Sequence, residues 1–240
     1  MADIRRPTLD ALLAELDRAL GTSYAAVLFG SAARGDFVEG TSDVNVLLLL
    51  DDGTPATLAK LTEPLRAWYE AGELAPLVMT RAEWARAADV FPIEVVDLQD
   101  AHRLLRGDDP VSSLKANMVH LRLALEADLR GKLLRLRRGY VALHHDAVAM
   151  SRLLAGGSSQ LVLLFRVLHR LAGRPVPGPR EDVVRGAAAI AGFDAEAVLT
   201  VDRHRATAKW RATRAEYEAY LGAVETAVRF VDHLHVGAHA

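Results

Sequence analysis

Two short apolar runs within the first fifty residues constrain the fold more than any other feature of the sequence. The first is Ala-Ala-Val-Leu-Phe at residues 25–29, and the second is Leu-Leu-Leu-Leu at residues 47–50. Apolar runs of about four to eight residues are typical of buried strands. The sequence therefore predicts two strands of one small sheet, with the polar residues that flank them at its mouth.

The first run ends in a turn that suits a phosphate group. Gly30 and Ser31 follow the run directly, and Ala32-Ala33-Arg34 then reads as a first helical turn. Glycine lets the backbone approach a ligand, the serine hydroxyl can donate a hydrogen bond, and a helix start carries partial positive charge. We therefore predict a phosphate-binding turn at Gly30 and Ser31.

Two oxygen-bearing side chains precede the second run. Asp43 and Asn45 alternate with Val44 and Val46, so along a strand the two polar side chains lie on one face. Carboxylate and amide oxygens are the ligands that Mg²⁺ prefers. The spacing predicts that Asp43 and Asn45 hold a divalent cation against the phosphates at the turn.

Over these two segments the sequence resembles the nucleotidyltransferase superfamily, which includes DNA polymerase beta, kanamycin nucleotidyltransferase, the aminoglycoside adenylyltransferases and the minimal nucleotidyltransferases. The family pattern is an apolar residue, Gly, Gly or Ser, a spacer of about nine to thirteen residues, and then Asp, an apolar residue, and Asp or Glu. Asn45 stands where the second acid is expected. Two flanking segments also resemble the family, namely Arg34-Gly35-Asp36 and Gly40-Thr41-Ser42.

The resemblance implies a fold, a ligand and a set of site residues. The fold is α+β, with a small mixed β-sheet nucleotidyltransferase domain at residues 1–110 and an all-α helical bundle at residues 111–240. The ligand is a nucleoside triphosphate with Mg²⁺ or Mn²⁺. The residues expected at the nucleotide are Gly30, Ser31, Arg34 and Asn45, and those at the metal are Asp43 and Asn45.

The family also places a third carboxylate on a neighbouring strand. The strand-like run at residues 74–80 has no acid within it, so the candidates are Glu94 and Asp97 in a second strand-like run at residues 92–98. Residues three apart face opposite ways along a strand, so one of them at most joins Asp43 as a catalytic acid. Alternatively, one of them caps a helix that starts near Gln99, or pairs with an arginine that follows.

Loss of acids affects catalysis more than binding. Asparagine keeps a carbonyl ligand but carries no charge, so Asn45 is a poor bridge between two cations and cannot act as a general base. Each missing transition-state contact is worth roughly a few kcal/mol, so transfer by the usual route should be slower by several orders of magnitude. We expect nucleotide binding to survive better than turnover.

The second half of the chain reads as helices. Apolar residues step by three or four from Leu114 to Leu143, which predicts one long helix, and Gly131 and Gly139 are candidates for bends in it. The segment Gly156-Gly157-Ser158-Ser159 predicts a turn before a further helix at residues 160–171. Basic residues crowd the long helix, and they are read either as solvated side chains or as partners for a triphosphate: Arg130, Lys132, Arg135, Arg137 and Arg138.

Composition narrows the classes of protein and partner. The chain has 240 residues, a net charge of -2, a pI near 6.5 and no cysteine, which excludes disulfides and thiolate chemistry and argues against bulk nucleic-acid binding. No signal peptide or membrane-length apolar run is evident, so we expect a cytoplasmic protein without a membrane partner. The expected partners are a nucleotide and a small-molecule or protein acceptor. The sequence leaves the oligomeric state open, a homodimer included.

Three functions are compatible with these features. The first is transfer of a nucleoside monophosphate to a hydroxyl or amine, with Asp43 and either Glu94 or Asp97 as catalytic acids. The second is a degenerate relative that only binds a nucleotide or a protein partner. The third is a ribonuclease, because Arg138 and His144 loosely resemble the arginine and histidine motif of HEPN ribonucleases.

Overall fold

The computed structural model describes residues 6–37, 43–207 and 209–236, so the Gly40–Ser42 part of the motif lies outside the described residues. The chain forms two compact units, residues 1–116 and residues 117–240. The elements of the first unit, in chain order, are α1 (Arg6–Leu20), β1 (Tyr24–Phe29), α2 (Ser31–Arg34), β2 (Asn45–Leu50), α3 (Pro55–Ala59), α4 (Thr62–Glu70), β3 (Leu77–Thr80), α5 (Arg81–Trp84), α6 (Ala87–Val90), α7 (Pro92–Asp100) and β4 (His102–Arg106).

The four strands form one mixed sheet in the order β3-β2-β1-β4. Strand β1 is antiparallel to both β2 and β4, whereas β2 and β3 are parallel. The register pairs Phe29 with Asn45 on one side and with His102 on the other. The predicted α+β class, a small mixed sheet followed by a helical region, is confirmed.

Both faces of the two central strands are buried, which explains why they are apolar without alternation. On one face Ala26, Leu28 and Leu48 pack against side chains of α1 and α4, with Leu16 and Trp68 among the most buried residues. The opposite face, built around Val27, Leu47 and Leu49, packs against residues of α5, α6 and α7. Polar groups of β1 and β2 are therefore confined to the strand ends.

The strand predicted at residues 92–98 is wrong, because this segment is helix α7. Pro92 occupies its first turn, where a missing N–H is tolerated, and Val95 and Leu98 are one helical turn apart and cover the second face of the sheet. The helix predicted to start near Gln99 is also wrong, since β4 begins at His102. The β-branched residues of α7 favour a strand locally, but the sheet face requires a covering layer.

The regular elements of the second unit, among its described residues, are all helices. Its elements are α8 (Met118–Leu143), α9 (Ala147–Leu171), α10 (Arg180–Ala191), α11 (Ala195–His204) and α12 (Arg214–Asp232). Helix α9 packs against α8, α10 and α11. By length and composition α9 could also cross a membrane, with a mean hydropathy of 1.4 over its most apolar 18-residue window, but 44% of that window is buried inside the structure. A central core helix has the same composition, and α9 occupies that position.

The turn predicted at residues 156–159 is also wrong, because these residues lie inside the continuous helix α9. Ser158 is fully buried there, and its hydroxyl donates a hydrogen bond of 2.7 Å to Asp202 of α11. Burial alone would raise the pKa of Asp202, but hydrogen bonds and charges from Arg180, Ser158 and Arg205 hold it below its usual value. Tertiary packing therefore outweighs the weak helix propensity of this segment.

Gly139 permits the close packing of α8 in the second unit. A Cβ atom at this position would lie 2.1 Å from Leu153 Cδ2 and 2.7 Å from the Tyr217 hydroxyl, which itself donates to the Leu136 carbonyl. Gly131 on the same helix has open space around it. The two glycines therefore differ in packing although both lie inside one helix.

We expect Gly139→Ala to lower the free energy of unfolding by about 1–3 kcal/mol, because the added methyl displaces Leu153 and Tyr217. The matched variant Gly131→Ala should raise it by about 0.5–1 kcal/mol through the gain in helix propensity. Urea unfolding followed by circular dichroism measures both values. Equal effects at the two positions would contradict the packing role of Gly139.

Candidate functional site

The turn at Gly30 has a backbone conformation that glycine alone adopts readily. Its φ is 73° and its ψ is -150°, and an added Cβ would lie 2.8 Å from Asn45 Nδ2. The carbonyl of Gly30 accepts hydrogen bonds from the N–H groups of Ala33 and Arg34, both at 3.1 Å. The turn therefore starts α2 and sits directly against the first residue of β2, as the sequence predicts.

Ser31 and Asn45 are both partly exposed, and Asp43 is exposed just before β2 begins. Asn45 shares a sheet face with Leu47 and with Phe29, its partner on β1. The side chains of Asp43 and Asn45 would share this face if the extended backbone continues to Asp43. The end of β1 thus brings Gly30 against Asn45, with Ser31 next to the glycine in sequence.

Arg34 makes a buried ion pair with Asp97. The Arg34 guanidinium donates a hydrogen bond to the Asp97 carboxylate, and their side chains are only 16% and 6% exposed. Arg34 Nε also lies 3.7 Å from Asp36 Oδ1. This pair joins the end of α2 to α7. Of the alternatives left open by the sequence, pairing with an arginine therefore applies to Asp97, although the partner comes from α2 and not from the chain that follows.

Glu94 lies in the first turn of α7 and is partly exposed. Neither Glu94 nor Asp97 is carried by a strand, so the predicted placement of a third acid on a strand beside β2 is wrong. On the side away from β1, the neighbour of β2 is β3. The two strands are parallel, with Leu47 opposite Leu77, so the residue opposite Asn45 would be Ala75 if the register continued. Leu74, Ala75 and Pro76 carry no carboxylate.

The donor set for a cation at this turn is small. Within the described residues no group of three or more His, Asp or Glu side chains is arranged to hold a metal ion. Asp43 supplies one exposed carboxylate and Asn45 supplies one amide oxygen. That set suits a single Mg²⁺ that takes most of its ligands from nucleotide phosphates and water, and it does not suit a pair of cations held by bridging carboxylates.

His102 is a neighbour of this site that the sequence did not reveal. It starts β4 opposite Phe29, on the side of β1 away from Asn45. Its Nδ1 donates to the Leu98 carbonyl at 2.8 Å, which leaves Nε2 facing Asp109 at 3.4 Å. The missed signal is the short Arg-Leu-Leu segment at residues 103–105, which is too brief to be recognised as a strand without its partner.

Most of the basic residues predicted as candidates on the long helix have partners within the second unit. Arg130 pairs with Glu126 and Asp232, and Arg137 pairs with Glu225. Arg138 is exposed. His144, the other half of the ribonuclease hypothesis, is partly exposed at the end of α8 with its ring stacked on Tyr140. Among the described residues no hydrogen bond joins Arg138 to His144, so the ribonuclease hypothesis gains no support.

We expect Arg34→Gln and Asp97→Asn each to lower the free energy of unfolding by about 3 kcal/mol, because each removes one charge of a buried ion pair and keeps the other. The double variant should lose less than the sum of the two, because neither charge then remains. Arg66→Gln, whose ion pairs are exposed, is the control and should change stability by less than about 0.5 kcal/mol. A double-mutant cycle measured by urea unfolding gives the coupling energy between Arg34 and Asp97. If the losses of the two single variants simply add in the double variant, the coupling is disproved.

Comparison with known proteins agrees with this geometry. Residues 9–101 match the family model of the nucleotidyltransferase domain. Among solved structures, the chain is similar to spectinomycin adenyltransferase AAD(9) from Enterococcus faecialis, solved with ATP and spectinomycin. The TM-score is 0.57 at 11% sequence identity, with 95% of this chain and 99% of that chain covered, which establishes similarity of fold. No curated protein matches the sequence significantly. By the motif, the sheet and the family-model match, residues 9–101 of the first unit are therefore similar to the nucleotidyltransferase domain.

Proposed function

We propose that the first unit binds a Mg²⁺-nucleoside triphosphate at the Gly30–Ser31 turn and transfers its nucleoside monophosphate to a hydroxyl or amine of a small molecule or protein. The observation that carries the proposal is the position of Gly30, whose left-handed backbone places the turn against Asn45 without an intervening side chain. The AAD(9) structure, which contains ATP and spectinomycin, supports a nucleotide and a small-molecule acceptor.

Ser31 and the turn would hold phosphate oxygens. The first N–H groups of a helix have no acceptor inside the helix, so the turn offers backbone donors beside the Ser31 hydroxyl. Asp43 and the amide oxygen of Asn45 would hold Mg²⁺, which when bound neutralises phosphate charge during transfer. We assign Arg34 a positioning role, since its guanidinium is engaged by Asp97 and fixes α2 against α7.

Transfer requires an acceptor oxygen or nitrogen to bond to the α-phosphorus while the bond from that phosphorus to the bridging oxygen breaks. Pyrophosphate leaves, and the acceptor proton must go to a base. Glu94 is the better candidate for that base, because it is partly exposed whereas Asp97 is buried. With one carboxylate at the metal strand, we expect transfer to be slow compared with a site that has three.

A second candidate function is a nucleotide-binding protein that has lost catalysis. The observations that favour it are Asn45 in place of an acid and the location of Glu94 and Asp97 on a helix. Binding requires the turn and one cation, whereas transfer requires the charge that these positions do not supply. Separate measurements of nucleotide binding and of pyrophosphate release distinguish the two candidates.

The first experiment is calorimetric titration with ATP, CTP, GTP and UTP, each with and without Mg²⁺. We expect at least one nucleotide to bind in a Mg²⁺-dependent way, and Asp43→Ala to weaken that binding by at least about tenfold, since a hydrogen-bonded or ligating charge is worth about 1.4 kcal/mol or more. Asp36 is not a suitable control because Arg34 lies near it, so exposed Asp52→Ala serves instead and should leave affinity unchanged. Absence of nucleotide binding would remove the proposal.

The second experiment measures pyrophosphate release by the wild type and by Asn45→Asp. If the missing charge limits the reaction, the restored carboxylate should raise the rate by about 10²-fold or more, in line with the value of one transition-state contact. Asn45→Ala, which removes the ligand without adding charge, is the matched control and should not raise the rate. Nucleotide binding with no release from wild type or Asn45→Asp would select the binding-only function.

A further inference from the structure

The second unit contains a cavity of about 220 Å³ that is lined by positive charge. It lies among α8, α9 and α12, entirely within residues 117–240. The lining residues used in the argument are Lys132 and Arg135 from α8, Arg152, Gly156 and Gly157 from α9, and Tyr220 from α12. None of them is used by the proposed nucleotide site, and three of the six carry a positive charge.

Lys132 is a buried cation at this cavity. Lys132 is only 7% exposed. Its Nζ donates a hydrogen bond of 2.7 Å to the Gly157 carbonyl. An ammonium has three donors, so two remain unused among the residues that the structure describes. Burial, reinforced by the nearby charge of Arg135 and opposed by Asp128, lowers the pKa of Lys132 to about 8. A bound anion would offset the cost of burying this charge.

Tyr220 supplies an unused donor. The residue is 1% exposed, and within the described part of the chain its hydroxyl is buried without a hydrogen-bond partner. Buried hydroxyls are nearly always hydrogen-bonded, because an unmade bond costs about 1–3 kcal/mol. Tyr220 lines the cavity, so one of the lining residues carries a hydroxyl whose hydrogen bond is unmade.

The two arginines of the cavity differ from most arginines on α8. Arg122, Arg130 and Arg137 each pair with a carboxylate. Among the described residues neither Arg135 nor Arg152 has an ion pair, and both are exposed at the cavity. Their guanidinium forks match the oxygens of phosphate and carboxylate groups.

The glycines inside α9 give the cavity its shape. A Cβ on Gly157 would approach Lys132 Nζ to 3.0 Å, so any larger side chain would crowd the ammonium. Glycine inside a helix costs about 0.5–1 kcal/mol relative to alanine. Gly157 therefore leaves space beside the Lys132 ammonium, whereas a Cβ on Gly156 would meet no atom within 4 Å.

We propose that this cavity binds a small molecule or ion through one phosphate or carboxylate group, which accepts hydrogen bonds from Lys132, Tyr220 and the two arginines. The volume of the cavity agrees with a ligand smaller than a drug molecule, because drug-sized ligands occupy pockets of about 300–1,000 Å³ and this cavity is smaller. The site belongs to the helical unit and does not depend on nucleotide transfer by the first unit.

The test is calorimetric titration of the full chain with inorganic phosphate and, separately, with succinate at low ionic strength. We expect saturable binding of one equivalent of at least one of them, and the preferred probe identifies the oxyanion. Arg135→Gln and Arg152→Gln should each weaken binding by at least tenfold. Arg138→Gln, which removes an exposed cation from the same helix outside the cavity, should change it by less than twofold.

Two further variants distinguish binding in this cavity from binding at the nucleotide site or at exposed surface charges. Tyr220→Phe should weaken binding by severalfold while leaving the stability of the ligand-free protein equal or higher, because it removes a hydroxyl with no partner. Ser31→Ala, in the proposed nucleotide site, should leave binding of the probe unchanged. The proposal is overturned if neither probe binds saturably, if Arg138→Gln weakens binding as much as Arg152→Gln, or if Ser31→Ala abolishes it.

Discussion

Burial of both faces of β1 and β2 is the constraint on which the first unit depends. Since neither face of these strands is open to water, their polar neighbours are confined to the strand ends, and the chain must supply a helical layer on each side. One layer comes from α1 and α4, and the other includes α7. The Gly30 turn follows the end of β1, and Asn45 begins β2. Because β1 and β2 are paired at this end, the turn and Asn45 are adjacent.

The parts of the fold that the sequence predicts correctly are those set by local chemistry. The strands β1 and β2, the turn at Gly30 and the long helix α8 each follow from a run of apolar residues or a residue with special backbone freedom. For residues 92–106 the sequence predicts a strand followed by a helix, whereas the structure has helix α7 followed by strand β4. The β-branched residues of α7 favour a strand, and only the open face of the sheet decides that they form a helix.

The candidate site is predictable to the same extent. Proximity of Gly30 to Asn45 follows from the motif, because the strands that carry them pair. The partner of Arg34 does not, because Asp97 is 63 residues away in the chain and only packing of α7 brings it near. The positive cavity of the second unit is likewise hidden, since Gly156 and Gly157 read as a turn when α9 is not known to be continuous.

Helix α9 has a consequence for how the protein is made. It is apolar enough to resemble a membrane span, and it gains its covering from α8, which precedes it, and from α10 and α11, which follow it in the chain. During synthesis, therefore, α9 leaves the ribosome with only part of its packing partners available. Over that interval the apolar surface of α9 that α10 and α11 later cover is open to association with other chains.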